Sequence, residues 1–165
     1  MSTPQNATFK ICTSCGRQIS WRKKWEKNWD SITYCSDSCR RHKIKPGSVD
    51  VAFESKILAL LGQRRLVQGP AALVTCEEAE EEVLNERASS SMNGTEEQAT
   101  LSSQEEGDVD VELRGQSNLQ LSKSRERCRQ AARRLAARGE IVVTQNGKVV
   151  DPSFAKGIME LKFPS

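Results

Sequence analysis

The sequence predicts an α+β protein in two parts: a small metal-held module over residues 9–46, then a helical domain closed by a β-hairpin over residues 49–165. Three observations carry this. Four cysteines stand early in two short pairs, apolar residues recur at helical spacing in later segments, and an Asn-Gly dipeptide near the end is flanked by β-branched runs. At 165 residues the chain has room for one domain or two small ones. Charged residues are 28% against 36% hydrophobic, no apolar run approaches the ~18 residues of a membrane span, and residues 1–20 lack a signal-peptide core. No membrane partner is therefore expected. The net charge of +3 averages very unequal segments: +6 over residues 1–50, +2 over 51–75, −11 over 76–114 and +6 over 115–165. Two basic lobes flank an acidic stretch.

Cys12, Cys15, Cys35 and Cys39 form C-x2-C and C-x3-C pairs separated by nineteen residues. Each pair reaches one ion from one tight turn, and four thiolates favour a single structural zinc with no open catalytic position. A disulfide framework is the rival and needs an oxidising compartment, whereas the missing secretory signal points to an intracellular, reducing one. Iron is also compatible with four thiolates. Gly16 follows the first pair where a knuckle turn needs positive φ. Ser31-Ile32-Thr33-Tyr34 is a β-prone run into Cys35, and Ser36 is placed to cap a short helix carrying Cys39, which must stop before Pro46-Gly47. A knuckle, a hairpin and a ligand-bearing helix describe a treble-clef-like module. Residues 1–8 read as a disordered N-terminus. So short a module needs the ~10–16 kcal/mol that structural zinc supplies. His42 is a weaker, fifth candidate ligand. Cys76 and Cys128, far apart in helical contexts, read as buried thiols.

Trp21, Trp25 and Trp29 stand at i, i+4 and i+8, with Arg22, Lys23, Lys24 and Lys27 between them. In so small a module the indoles are first read as its apolar core. The other reading is a set of aromatic platforms for nucleic-acid bases or a partner peptide. The cations cannot be buried unpaired, so they face solvent or a ligand. The run Cys12-Thr-Ser-Cys15-Gly16-Arg17, Trp21-Arg-Lys-Lys-Trp25, Trp29 and Tyr34-Cys35-Ser36-Asp-Ser-Cys39-Arg40 resembles a small bacterial zinc-knuckle family of unknown function. What the resemblance implies is the metal site, not an activity.

In the second part, Ser48 or Asp50 is placed to cap a helix over about 50–65, with Val51, Phe53, Ile57, Leu58 and Leu61 on one side. Gly69-Pro70 punctuates the chain. Thr75 and Glu78 form a capping box opening a helix with Cys76, Ala79 and Val83 inward and glutamates outward. Residues 86–118 are poor in large apolar groups and read as a disordered acidic insertion. The helix over 122–138 buries Cys128, Ala131, Ala132 and Leu135, leaving its arginines on the flanks, and ends at Gly139. Ile141–Gln145 and Lys148–Val150 then flank a type I′ Asn146-Gly147 turn, which sets Gln145 opposite Lys148 and Val143 opposite Val150. Asp151-Pro152 breaks the strand, and residues 158–163 return as a third.

Helix, helix, basic helix, hairpin is the order of a winged helix-turn-helix, with 122–138 in the recognition-helix place and 145–148 as the wing tip. The stretch from Arg129 through Ile141 and on to Thr144-Gln-Asn-Gly147-Lys-Val-Val-Asp151-Pro152 resembles a second family of unknown function, one implied to be winged-helix-like. The two families together describe a fused pair. The acidic insertion departs from that pattern where a turn normally links the second and third helices.

The expected function is nucleic-acid binding of a regulatory kind, DNA favoured over RNA. Arg22, Lys23, Lys24, Lys27, Lys123, Arg125, Arg127, Arg129, Arg133, Arg134 and Lys148 would meet phosphates and base edges. The alternative is a protein-interaction adaptor on the same two modules. An enzyme with a small-molecule substrate is not expected, because no His–carboxylate pair, phosphate loop or nucleophile motif is present and there is one histidine in all.

Overall fold

The computed structural model describes residues 9–92 and 110–164. Residues 1–8, expected to be disordered, lie outside them. β1 (Phe9–Ile11) and β2 (Gln18–Ser20) pair antiparallel, Lys10 opposite Ile19, and the first cysteine pair occupies the loop between them. Two 3-10 turns follow, Lys23–Trp25 and Trp29–Ser31, and then α1 (Asp37–Arg41). The Ser36 hydroxyl accepts the Cys39 N–H at 3.2 Å, the cap expected of it. The β-prone run before Cys35 pairs with no strand. Squeezed between a 3-10 turn and a cysteine, it has no length for a ladder, and the Thr33 carbonyl accepts instead from the Thr13 N–H at 3.1 Å.

α2 (Val49–Gln68) buries Phe53, Ile57 and Leu61 and runs to the Gly69-Pro70 stop, which leaves Leu66 and Val67 in solvent. Ser48 holds the N-cap position, but its hydroxyl makes no cap bond. Beyond a short strand, β3 (Val74–Thr75), the capping box closes as expected: Thr75 Oγ1 accepts from the Glu78 N–H at 3.2 Å, and Glu78 Oε2 accepts from the Thr75 N–H at 2.8 Å. It opens α3 (Cys76–Met92). Arg64 adds a bond to Glu78 at 2.6 Å and holds its carboxyl below the usual range. A carboxyl with a depressed folded-state pKa stabilises the fold above its unfolded pKa and loses that contribution as pH falls through the folded one. Thr75→Ala is expected to cost ~1 kcal/mol in chemical unfolding at pH 7. Glu78→Gln is expected to flatten the loss of stability between pH 5 and pH 3 by on the order of 0.5 kcal/mol, since the pair is partly exposed. An unchanged acid limb would refute the second expectation.

α4 (Asp110–Ala137) buries Cys128, Ala131, Ala132 and Leu135 completely. Its end is a Schellman motif: Glu140 N–H to Leu135 C=O and Gly139 N–H to Ala136 C=O, both at 3.0 Å. Residues 86–118 are thus not irregular throughout, because α3 continues to Met92 and α4 begins at Asp110, while 93–109 lie outside the described residues. No glycine or proline stands between 71 and 93 to stop α3. β4 (Val142–Gln145) and β5 (Lys148–Val149) form the expected hairpin, with Gln145 opposite Lys148 and positive φ at both Asn146 and Gly147. β6 (Glu160–Lys162) inserts between β3 and β4, giving the antiparallel order β3-β6-β4-β5. The three long helices pack on one another and on the inner face of this sheet, sharing a core with Val74, Val143 and Leu161. A separate small apolar cluster surrounds the early cysteines. Among the described residues no helix is long and apolar enough to cross a membrane.

Candidate metal centre and module junction

The β1–β2 loop supplies Cys12 and Cys15, Cys35 stands just before the Ser36 cap, and α1 carries Cys39. All four Sγ atoms lie within 4.8 Å of one another, with Cys15–Cys35 and Cys35–Cys39 at 3.5 Å. Four metal–sulfur bonds of ~2.3 Å in a tetrahedron need sulfur separations of about 3.8 Å, so the donor set fits one soft ion such as zinc. Cys12 and Cys15 are buried, and the Cys35 N–H donates to Cys12 Sγ at 3.4 Å. Donation from the Cys15 thiol pulls Cys12 down to about 4, while Cys15 itself is pushed up by that bond and by burial. His42 lies outside the cluster: its Nε2 is 3.2 Å from Asp50 Oδ2, so the one histidine does form a His–carboxylate pair, contrary to the sequence expectation, because the turn after α1 brings it back onto the start of α2.

The tryptophans divide between the two readings. Trp25 and Trp29 stack at 6.2 Å and pack on the cysteine cluster, whereas Trp21 is exposed. Lys10 lies over Trp29, and Arg22 and Lys24 over Trp25, at 5.0–5.6 Å from the ring centres.

The knuckle is seated on α4. Gly16, at φ +70°, lies so close that a Cβ would come within 2.5 Å of Arg133 Cβ and 2.7 Å of the Arg133 and Arg134 backbone. Arg134, 6% exposed, donates to Glu54 at 2.5 Å, to the Ser14 carbonyl at 2.7 Å and to the Asp50 carbonyl at 3.3 Å. Arg133, 2% exposed, bonds Glu126 and the Pro152 carbonyl. Arg129 is held by the carbonyls of Gly157 and Ala155. Arg133 and Arg134, expected on a ligand-facing surface, are instead internal fasteners, because the knuckle covers the last turns of α4; Arg129 is half-buried, its guanidinium engaged by the 155–157 loop. Arg125 remains exposed but pairs with buried Glu80 at 3.4 Å. Arg22, Lys23, Lys24, Lys27, Lys123 and Lys148 are exposed and Arg127 is half-buried; none of the seven pairs with a carboxylate among the described residues. Sequence reading missed Asp50 and Glu54 as partners of Arg134. Their one signal was spacing, since 50, 54, 57 and 61 share a helical stripe and acids on an apolar stripe need cations.

Gly16→Ala is expected to cost about 3 kcal/mol in urea unfolding, combining overpacking of ~1–3 kcal/mol with ~1 kcal/mol for the left-handed backbone. Gly47, at φ +72° with nothing within 4 Å of a Cβ, is the control. Gly47→Ala should cost only the ~1 kcal/mol backbone part; equal losses at both positions would contradict the close packing.

This geometry defines a two-module α+β protein in which a four-cysteine, metal-type knuckle is seated on a helical domain with a hairpin. Residues 81–164, slightly more than half the chain, match the family described as a protein of unknown function (DUF3253), and the chain belongs to that family. Residues 4–42 match a second family, described as an uncharacterised protein conserved in bacteria (DUF2256), so the chain joins two uncharacterised families. No curated protein and no solved structure matches it.

Proposed function

We propose that the chain is a non-enzymatic nucleic-acid-binding protein of regulatory type, DNA favoured over RNA, with one structural zinc in a treble-clef-like module. The order helix, strand, helix, helix, hairpin, strand supports a winged-helix reading of the second module, with Lys148 at the wing tip. One observation carries the functional reading: Arg22, Lys23, Lys24 and Lys27 are exposed, have no carboxylate partner among the described residues, and border Trp25 and the exposed Trp21. Clustered unpaired cations beside an aromatic face suit phosphates and unstacked bases. The test is fluorescence-anisotropy titration with duplex DNA, duplex RNA and single strands at 50 mM salt. Affinity that falls steeply with added salt is expected, and no binding to any of them overturns the reading. Metal quantitation should return one zinc per chain; a metal-free folded protein overturns that part. An adaptor role is favoured by one feature, the exposed Val149, Phe154 and Ile158 of the sheet region. It gains ground if nucleic acid fails to bind.

A further inference from the structure

We propose that nucleic-acid phosphates are held in a basic groove at the junction of the two modules, centred on Arg127, rather than along the α4 arginine face; the inference rests on the nucleic-acid reading above. Arg127 lines three adjoining hollows. One, of about 340 Å³, runs between the knuckle and α4 and has Cys39 in its wall. A second lies under the stretch from the end of α1 to the start of α2, and a third lies against the end of α3. Around Arg127 these hollows gather Arg41, Lys43 and Lys45 from that stretch, Arg87 from α3, and Lys123 from α4. None of the six has a carboxylate partner among the described residues, in contrast to Arg125, Arg133 and Arg134.

The acidic groups lining the groove do not neutralise this charge. Glu126 is committed to Arg133 at 3.0 Å and to Arg17 at 3.5 Å. Asp50, 3% exposed, faces His42 through Oδ2, and its Oδ1 has no hydrogen-bond partner although it is buried in the wall of the second hollow. The groove is composite. The segment between α1 and α2 is positioned by α1, which bears Cys39, so the groove exists only while the knuckle is folded on α4.

The test compares wild-type protein with Lys43→Gln/Lys45→Gln/Arg127→Gln and with a charge-matched control outside the groove, Arg65→Gln/Lys156→Gln/Lys162→Gln. Binding to a 20-mer duplex DNA and to a single strand is titrated between 50 and 200 mM salt. Each lost phosphate contact removes ~0.7–0.9 from the slope of log affinity against log salt, so the groove variant should lose about 2–3 and bind on the order of 30-fold more weakly, while the control stays within about threefold. Wild-type binding with equal losses in the two variants, or with an unchanged groove variant, overturns the groove and leaves the functional reading standing. Absence of wild-type binding overturns both. The three substituted side chains make no ion pairs, so thermal melts should coincide with wild type; if the triple variant fails to fold, Arg127→Gln alone should still lower the slope by about 1.

Discussion

Removing the proposed zinc is expected to unfold residues 9–46 and to destabilise the helical domain in the same step. The knuckle's buried apolar content is Cys12, Cys15 and Ile19, backed by the stacked Trp25 and Trp29, too little to hold a fold alone. Structural zinc supplies ~10–16 kcal/mol in comparable peptides, so removal is decisive for the module. The second domain follows because the knuckle supplies the Ser14 carbonyl to buried Arg134, its Gly16 covers Arg133, and its Gln18 N–H bonds Ser153 Oγ at 3.0 Å. Hydrogen exchange with and without a chelator measures this. Protection should collapse across residues 9–42 and fall by about tenfold or more in the last turns of α4. Unchanged α4 protection after metal loss would show that the modules are energetically separate.

Arg134→Ala is expected to cost about 3–5 kcal/mol in urea unfolding, the cost of breaking a buried ion pair. From its place on α4, Arg134 bonds both the knuckle, through the Ser14 carbonyl, and α2, through the Asp50 carbonyl and Glu54. Without it Glu54, 15% exposed, keeps only Arg138, and the Ser14 carbonyl loses its donor. The double variant Arg134→Met/Glu54→Leu should recover part of the loss, because it removes the orphaned charge along with the cation. A single-variant loss below 1 kcal/mol would mean that water takes the place of the guanidinium and that the seat is not dry.

Much of the local structure was legible in the residues. The cysteine spacing announced the cluster, Thr75–Glu78 the helix start, Asn146-Gly147 the hairpin and its register, and the alanines with Cys128 the buried stripe of α4. Each is a signal within a few residues, governed by backbone conformation or by helical and strand periodicity. The strand expected before Cys35 failed because a propensity run needs a partner ladder, and chain geometry denied it one. The helical ends of the acidic segment were hidden because low apolar content says nothing of helix propensity, which charged and straight-chain residues carry well.

The fate of the arginines was not legible. Arg125, Arg127, Arg129, Arg133 and Arg134 look alike in sequence: cations flanking an apolar stripe. Only the seating of the knuckle against α4, across about 120 residues of chain, buried Arg133 and Arg134 and left Arg127 in a groove with no carboxylate partner among the described residues. The sequence by itself determined a four-cysteine site, an α+β order and where the basic charge lies along the chain. The fold settled which of those charges hold the modules together and which have no carboxylate partner among the described residues, because pairing and desolvation depend on neighbours that no local pattern records.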